Sequence, residues 1–376
     1  MQKLCVTIDS KVRQYHILIG RGVLDSVGRE MRRQLKSKAT RVALISNQKV
    51  FSLYGSSVVE SLKQRAFEVP QFLIGDGERF KTMKTLTAVL NFLAEQGLQR
   101  SDAVLGLGGG VVGDVAGFAA ASYLRGIPFY QAPTTVLSQI DSSVGGKTGV
   151  NLPKGKNLIG AFYQPQGVFI DTNVLGTLPQ RELTSGWCEM VKNGVVSGPE
   201  LLQQTTDFLQ KQELSRTARL EKLVAAHCAF KASVVKGDER EDITRKDVRS
   251  RRILNFGHTV GHAIESVTHY RRFRHGEAVG YGMLAAIELS KSLNLLPQSD
   301  VESVREAVAS CGPLPLAGDL DERAIISALT YDKKRVGAHI HWVLLQSIGK
   351  PLIVNGGDIS PALVRDAVGT ALNTKE

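Results

Sequence analysis

The sequence of 376 residues predicts an α/β amino-terminal half followed by a mostly α-helical carboxyl-terminal half. Up to about residue 171, short apolar runs alternate with helix-like segments, which is typical of βαβ units on a parallel sheet. From Leu178-Pro179 onward, long amphipathic stretches replace the short runs. The chain also exceeds the usual size of a single hydrophobic core. We therefore expect two domains, over residues 1–178 and 179–376.

Each element follows from a local pattern. The predicted strands of the first half are residues 42–45, 72–74, 104–107, 128–131 and 168–170. Before them, residues 4–8 and 15–19 alternate like the two strands of a hairpin. In the second half, helices are predicted over residues 200–209, 216–235 and 277–293. Residues 341–345 predict one short strand among these helices.

The composition is that of a globular enzyme, with 43% hydrophobic and 22% charged residues. No uncharged apolar run is long enough to span a membrane, and the amino terminus has no signal-peptide core. Cys5, Cys188, Cys228 and Cys311 form no CxxC pair, which favours reduced thiols. We therefore expect a cytoplasmic protein without membrane contact.

Positive charge is in excess, with 47 Lys and Arg against 36 Asp and Glu, and it is dense over residues 236–252 and 271–274. There is no recognition-helix motif, zinc finger or aromatic-rich basic strand, so nucleic acid is not an expected partner. A small phosphate or carboxylate ligand fits this charge better. The block Asp141-Ser-Ser-Val-Gly-Gly-Lys147 indicates one such anion site.

A glycine-rich turn lies between a predicted strand and an alanine-rich helix. Its spacing, Gly108-x-Gly110-x-x-Gly113, matches the dinucleotide fingerprint. Glycine lets the backbone approach a ligand, and a helix amino terminus attracts pyrophosphate, so the turn predicts a Rossmann-like nucleotide site. However, this is not the first βα turn, and residues 129–135 contain no acid for the ribose. A turn that only packs the helix on the strand is the alternative.

Histidines form a second constellation. His258 and His262 stand at positions i and i+4 of a predicted helix, and His275 opens the next helix after a basic loop. Glu189 and Lys192 offer a carboxylate and an amine one turn apart. Imidazole and carboxylate groups suit zinc, and the HxxxH spacing alone suggests His258 and His262 as ligands. The protease motif HExxH is absent, and histidines that cap helices are the alternative.

Taken together, these motifs resemble the 3-dehydroquinate synthase family along nearly the whole chain. The matching blocks are residues 76–81, 106–162, 189–192, 255–262, 275–277 and 332–334. The resemblance implies an NAD- and metal-dependent lyase that converts 3-deoxy-D-arabino-heptulosonate 7-phosphate, a small anionic sugar phosphate, into 3-dehydroquinate and phosphate in the shikimate pathway. In that family NAD oxidises C4 transiently, phosphate leaves, the hydride returns, and ring opening and aldol closure follow.

The resemblance also implies roles for individual residues. The metal ligands, for Zn²⁺ or Co²⁺, would be Glu189, His258 and His275, so that His262 is assigned to the substrate instead. The catalytic groups would be His262, Lys147, Asn255, Lys192 and Asp141. The substrate-binding groups would be Arg125, Asn157, Lys231, Arg251, Lys333 and Lys334. In the family the arginine matched by Arg125 enters the partner's site, which implies a homodimer.

The implied NAD contacts come from several turns. They are Asp76, Gly77, Glu78, Arg79, Phe80, Lys81, Gly110, Val111, Val112, Gly113, Asp114, Thr134, Thr135, Lys147, Lys156, Val174, Leu175, Gly176 and Thr177. Asp114 and Glu78 would replace the ribose acid that the simple fingerprint lacks.

Three alternatives are kept. Related cyclases act on sedoheptulose 7-phosphate or glucose 6-phosphate, but they tend to replace the positions of Asn255, His262 and the late lysine pair. A metal-dependent polyol dehydrogenase would not need the lysine-rich anion set, and a non-catalytic binding module would not need the intact metal residues.

Trp187 departs from the small residues of its family block, and it either repacks the helix or alters access to the metal.

Overall fold

The computed structural model of the chain describes residues 14–211, 217–336 and 341–374. The strands of this part are β1 (His16–Gly20), β2 (Val42–Asn47), β3 (Gln71–Ile74), β4 (Ala103–Gly108), β5 (Phe129–Pro133), β6 (Lys147–Leu152), β7 (Gly155–Phe162), β8 (Gly167–Asp171), β9 (His341–Ser347) and β10 (Lys350–Asn355). Six of them form one parallel sheet in the order β1-β8-β5-β4-β2-β3.

The helices of the described part follow in chain order. They are α1 (Val27–Leu35), α2 (Gln48–Val50), α3 (Ser56–Lys63), α4 (Met83–Glu95), α5 (Gly110–Ser122), α6 (Gln180–Ser197), α7 (Pro199–Gln210), α8 (Thr217–Gly237), α9 (His258–Val267), α10 (His275–Ser292), α11 (Gln298–Ala309), α12 (Glu322–Val336) and α13 (Pro361–Leu372). The predicted fold class, a Rossmann-like α/β part followed by a mostly helical part, is confirmed.

The sheet is buried on both faces, as parallel sheets usually are. Along β4, Val104 packs with α4 and α5, whereas Leu105 and Leu107 face the layer that contains α1 and α3. The chain leaves β2 for β3 on one side and leaves β4 for β5 on the other. The carboxyl ends of β2 and β4 therefore flank the crevice where such sheets bind ligands.

The five strands predicted from apolar runs are present as β2, β3, β4, β5 and β8. Residues 15–19 largely form β1, which pairs in parallel with β8. Their predicted hairpin partner, residues 4–8, lies outside the described residues. The predicted strand at 341–345 is β9, and it pairs antiparallel with β10.

An antiparallel hairpin of β6 and β7 was not predicted. Its strands come very close at two glycines, because a Cβ on Gly160 would lie 2.1 Å from the Thr148 carbonyl oxygen, and one on Gly149 would lie 2.5 Å from that of Ile159. Thr148 also packs over Gly117 of α5. The hairpin therefore lies beside the helix that follows the glycine-rich turn.

In the helical part, glycines let α10 approach both α9 and α6. A Cβ on Gly282 would lie 1.8 Å from the carbonyl oxygen of Gly257, and one on Gly276 would lie 1.8 Å from that of Ser185. The Glu277 carboxylate fixes the start of α10 by accepting hydrogen bonds from the Arg274 backbone and the Arg181 side chain, both at 2.7 Å. These contacts bring the first residues of α9 and α10 to the middle of α6.

Three cysteines of the described part, Cys188, Cys228 and Cys311, are buried and free, and Cys5 lies outside it. None of the described helices is long and apolar enough to cross a membrane.

Candidate active site

Glu189, His258 and His275 meet where α6, α9 and α10 converge. The Oε1 atom of Glu189 lies 3.7 Å from Nε2 of His258 and 3.5 Å from Nε2 of His275. It is buried and has no hydrogen-bond partner within the described part of the chain. A buried carboxylate oxygen without a partner is costly, so its position beside two imidazole nitrogens requires an explanation.

The other nitrogen of each imidazole has a partner. Nδ1 of His258 lies 3.1 Å from the carbonyl oxygen of Phe256, and Nδ1 of His275 lies 3.3 Å from Oε2 of Glu265. When each Nδ1 carries the proton, each Nε2 keeps its lone pair toward Glu189. Burial lowers the pKa of His258 well below its usual value, which favours the neutral imidazole.

The donor set fits a tetrahedral metal ion. Two ligand atoms on tetrahedral zinc are separated by about 3.3 Å, given Zn–N and Zn–O bonds near 2.0–2.1 Å. The two nitrogen–oxygen distances around Glu189 are close to this value. His262 also lies nearby, since the ligand atoms of His258, His262 and His275 are all within 4.8 Å of one another. Geometry alone therefore allows His262 as well as Glu189 to complete the set.

The second oxygen of Glu189 has a different role. Oε2 accepts a hydrogen bond of 2.6 Å from Nζ of Lys192, and both side chains are almost fully buried. Burial disfavours the ammonium, but Glu189 and Asp141 outweigh it and raise the pKa of Lys192. Lys192 thus stays charged and holds the carboxylate in place.

Trp187 stands two residues before Glu189 on α6. Its ring makes an edge contact with Phe208 of α7, with ring centroids 5.7 Å apart, and it is 4% exposed. Of the two alternatives for this unusual residue, packing of α6 against α7 is the one observed.

A group of cationic side chains extends from Lys192. Lys231 of α8 pairs with Asp141 at 2.6 Å, and Arg251 donates to the carbonyl oxygen of Gly145 at 2.9 Å. Burial and the charges of Arg251 and Lys231 lower the pKa of Lys147 to about 7. The pKa of Asp141 is well below its usual range, because Lys231 and Lys192 outweigh its burial. Such a group can bind an anion with several negative charges.

Glu241, which the sequence analysis missed, closes one side of this group. It pairs with Lys147 and accepts a hydrogen bond of 3.2 Å from Nδ2 of Asn255. It lies in the charged stretch after α8, where a carboxylate resembles any solvated surface acid, so the sequence carried no distinguishing signal.

Glu265 was also missed, although the sequence carried a signal for it. It stands seven residues after His258 and three after His262, which places it on the same face of α9. Besides His275, it accepts a hydrogen bond of 3.0 Å from Nζ of Lys156. Lys156, assigned to NAD by resemblance, thus lies beside the histidine cluster.

The residues assigned to NAD follow the carboxyl ends of the parallel strands. Helix α5 begins directly after β4, and its N-cap residue, Gly109, provides no side-chain cap. The first N–H groups of α5 are therefore free to bind an anion such as a pyrophosphate. Gly113 serves packing, because a Cβ there would lie 2.6 Å from Oε1 of Gln131. The packing role that the sequence analysis considered is therefore present, and the nucleotide role stays a prediction that the uncapped helix start allows.

Neighbouring turns complete the rim. Asn47, at the end of β2, donates a hydrogen bond of 3.0 Å to Asp76 in the turn after β3. The backbone N–H of Thr134, after β5, donates to the Gly108 carbonyl at 3.0 Å. The turn after β8 contains Val174 and Thr177, and the hydroxyl of Tyr54 contacts the Val174 carbonyl and the Thr177 hydroxyl. Four strands thus contribute turns at this edge of the sheet.

Lys81 connects this rim with the β6–β7 hairpin. Its Nζ lies 2.5 Å from Oδ2 of Asp114 and 2.5 Å from Oδ1 of Asn157. Burial works against the ammonium, but Asp114 outweighs it and raises the pKa of Lys81. A residue assigned to the nucleotide thus contacts one assigned to the substrate.

Three assigned residues stand apart from this description. Arg125 is exposed in the turn after α5, where Leu124, Arg125 and Gly126 all have positive φ. Lys333 and Lys334 belong to α12, among residues whose side chains lie outside the described part.

Comparison with known proteins gives a consistent result. The models of the 3-dehydroquinate synthase N-terminal and C-terminal regions match residues 71–185 and 186–335. A 3-dehydroquinate synthase of Thermodesulfovibrio yellowstonii is 41% identical, with 96% of this chain and 99% of that protein covered.

Two solved structures are similar over most of the chain. A 2-deoxy-scyllo-inosose synthase complexed with carbaglucose-6-phosphate, NAD⁺ and Co²⁺ has a TM-score of 0.79 and 29% identity, and 94% of this chain and 96% of that one are covered. The 2-epi-5-epi-valiolone synthase ValA from Streptomyces hygroscopicus, with NAD⁺ and Zn²⁺ bound, shares the fold with a TM-score of 0.85 at 24% identity, covering 98% and 99% of the two chains. On the strength of the matching models and the relative at 41% identity, the chain belongs to the 3-dehydroquinate synthase family.

Proposed function

We propose that the protein is an NAD- and metal-dependent carbon–oxygen lyase that converts 3-deoxy-D-arabino-heptulosonate 7-phosphate into 3-dehydroquinate and phosphate. The observation that carries the proposal is the position of the Glu189–His258–His275 cluster, which Lys192 contacts and which lies near the cationic group around Lys147. A metal centre beside a strongly cationic pocket suits a substrate that is both polyhydroxylated and multiply anionic.

Glu189, His258 and His275 would hold Zn²⁺ or Co²⁺, and both ions suit this donor set. The unpartnered Oε1 of Glu189 supports its choice over His262 as the third ligand. The bound ion would supply Lewis-acid activation of a substrate hydroxyl. Its charge would also satisfy the buried carboxylate.

The uncapped start of α5 would hold the pyrophosphate of NAD, and Asp114 and Glu78 would contact its polar groups. NAD would supply transient hydride acceptance at the substrate's C4. The 2-deoxy-scyllo-inosose synthase, whose structure contains NAD⁺, supports this assignment, because it shares the fold over most of both chains.

The chain's own side chains would position the substrate and move its protons. The substrate's carboxylate and phosphate groups would be neutralised by Lys147, Lys192, Lys231 and Arg251, together with Lys333 and Lys334. Asn157 would donate a hydrogen bond to the substrate. Burial and the neighbouring His275 lower the pKa of His262 to about 4, so this imidazole is neutral near pH 7 and can accept a proton. Asn255 would orient the substrate beside it.

We further propose a cytoplasmic homodimer in which Arg125 enters the partner's site, with domains divided after Leu178. The exposure of Arg125 and its turn of positive φ support the dimer. Mixing an Arg125→Ala variant with a Lys147→Ala variant tests it, because one site of a mixed dimer would retain both side chains. Recovered turnover supports the exchange, and no recovery from verified mixed dimers contradicts it.

The reaction is tested with purified, metal-loaded protein, NAD and 3-deoxy-D-arabino-heptulosonate 7-phosphate. Phosphate release, 3-dehydroquinate and NADH absorbance are followed together. We expect equal amounts of both products without NADH accumulation, and loss of turnover with a chelator. Sedoheptulose 7-phosphate and glucose 6-phosphate serve as parallel substrates. Turnover of either one, with none of the heptulosonate, would assign the chain to the alternative cyclases.

A further inference from the structure

Asn151, at the tip of the β6–β7 hairpin, has no role in the function proposed above, yet it links two parts of the site. Its side-chain Nδ2 donates a hydrogen bond of 2.7 Å to Oε1 of Glu78, and its backbone N–H donates to the Lys81 carbonyl at 2.8 Å. Its Oδ1 accepts a hydrogen bond of 2.9 Å from the backbone N–H of Asn157. Asn151 thus contacts the 78–81 turn and Asn157 at the same time.

The backbone of Asn157 needs such support. Its φ is +53°, in the left-handed region that is unfavourable for residues other than glycine, although asparagine tolerates it best. The hydrogen bond from Asn157 N–H to Asn151 directly constrains this conformation. Asn157 is exposed, and its Oδ1 is engaged by Lys81, which leaves its Nδ2 donor for a ligand.

These contacts form a chain of four links through five residues. It runs from Glu78 to Asn151 and on to the backbone N–H of Asn157, then from the Asn157 side chain to Lys81 and Asp114, with links of 2.7, 2.9, 2.5 and 2.5 Å. Glu78, Lys81 and Asp114 belong to the nucleotide rim, whereas Asn157 is assigned to the substrate. A ligand that orders the nucleotide-assigned residues of this chain therefore restricts Asn157 as well.

We propose that Asn151 is a positioning residue that holds Asn157 in its substrate-binding conformation and couples the binding of NAD to that of the substrate. The inference rests on the proposed function for the identity of the two ligands. When NAD is bound to the 78–81 turn, Asn157 is held in place before the substrate arrives. The entropic cost of ordering Asn157 then no longer lowers the affinity for the substrate. By linkage, the substrate strengthens NAD binding by the same factor.

The test measures this coupling factor directly. The dissociation constant of NAD is determined by calorimetry on the metal-loaded protein, with and without a saturating phosphonate analogue of the substrate that cannot eliminate phosphate. We expect Asn151→Ala to reduce the ratio of the two constants about five- to tenfold, because it removes the side-chain hydrogen bonds to both Glu78 and Asn157. The KM for the substrate should rise by a similar factor, with a smaller change in kcat.

A matched pair of variants separates positioning from general damage. Glu78→Gln with Asn151→Asp reverses the donor and acceptor of their hydrogen bond, keeps the acceptor for Asn157 and conserves total charge. The double variant should recover most of the coupling that Asn151→Asp alone loses to repulsion between two carboxylates. Leu158→Ala, at a side chain on β7 in a residue 59% exposed, is the control and should leave the coupling unchanged.

Two results would overturn the inference. One is wild-type coupling in a folded Asn151→Ala protein, and the other is an equal loss in Leu158→Ala. Failure of the proposed function is recognised separately, because the wild-type protein would then show no turnover of the heptulosonate phosphate.

Discussion

Lys156 and Glu265 join the β6–β7 hairpin to α9 through a hydrogen bond of 3.0 Å between Nζ and Oε1. Burial would raise the pKa of Glu265, but His275 and Lys156 lower it to about 2. The carboxylate is therefore ionised at any working pH, and it orients His275 through Nδ1. One acidic side chain thus connects the hairpin with the proposed metal centre.

Replacing Glu265 with Gln should weaken metal binding about 10- to 100-fold, as is usual when the outer partner of a metal-binding histidine is changed. Zinc affinity measured by competition with a chromophoric chelator checks this. Glu95→Gln, at an exposed position of α4, is the control. Unchanged zinc affinity in Glu265→Gln would show that the carboxylate is not needed to orient His275.

Single substitutions should distinguish the two possible ligand sets. Glu189→Gln and His275→Ala should each lose bound metal on dialysis, whereas His262→Ala should retain it and lose turnover, because we assign His262 to proton transfer. Zinc content per chain is measured by atomic emission. Metal loss in His262→Ala together with retention in Glu189→Gln would reverse the assignment.

The pH dependence should reflect Lys147. Because its pKa is lowered to about 7, the ammonium is present below that pH and is lost above it. The anionic substrate needs the charged form, so kcat/KM should fall as the pH rises through about 7. In Lys147→Arg this decline should disappear, because the guanidinium stays charged. Glu241→Gln should move it to lower pH by removing a stabilising carboxylate. The same decline in all three proteins would assign it to another group.

Trp187→Ala should reduce the free energy of unfolding by about 3–5 kcal/mol, the usual cost of truncating a large buried aromatic residue. Trp187→Phe should cost less, since it keeps an aromatic ring against Phe208. Urea unfolding measures both values, and zinc content is expected to stay constant. Loss of zinc at unchanged stability would instead implicate Trp187 in access to the metal.

The parallel sheet could be predicted because β2, β4 and β8 are buried on both faces and appear as continuous apolar runs. The β6–β7 hairpin could not, since its strands are rich in glycine and polar residues and depend on backbone contacts between Gly149 and Gly160. The contacts of its Asn151 with Glu78 and of its Lys156 with Glu265 could not be predicted either, because they depend on where the hairpin lies in the fold.

For the site, spacing alone offered His258 and His262 as a ligand pair, and the family resemblance assigned Glu189 and His275 as ligands in place of His262. Glu189 lies 69 residues before His258 in the sequence. Nothing local in the sequence indicates that α6 meets α9 and α10, because that convergence depends on tertiary packing. The roles of these residues remain predictions that the variants above test.

The close approach at Gly276 and Gly282 leaves no room for a single methyl group. A Gly282→Ala change removes no ligand and no charge, yet it would push α10 away from α9 and separate His275 from His258 and Glu189. In this fold, a mutation can therefore abolish the activity at a position whose side chain carries no functional group. Variants found in natural populations are better interpreted by which helices they separate than by their distance from the reacting atoms.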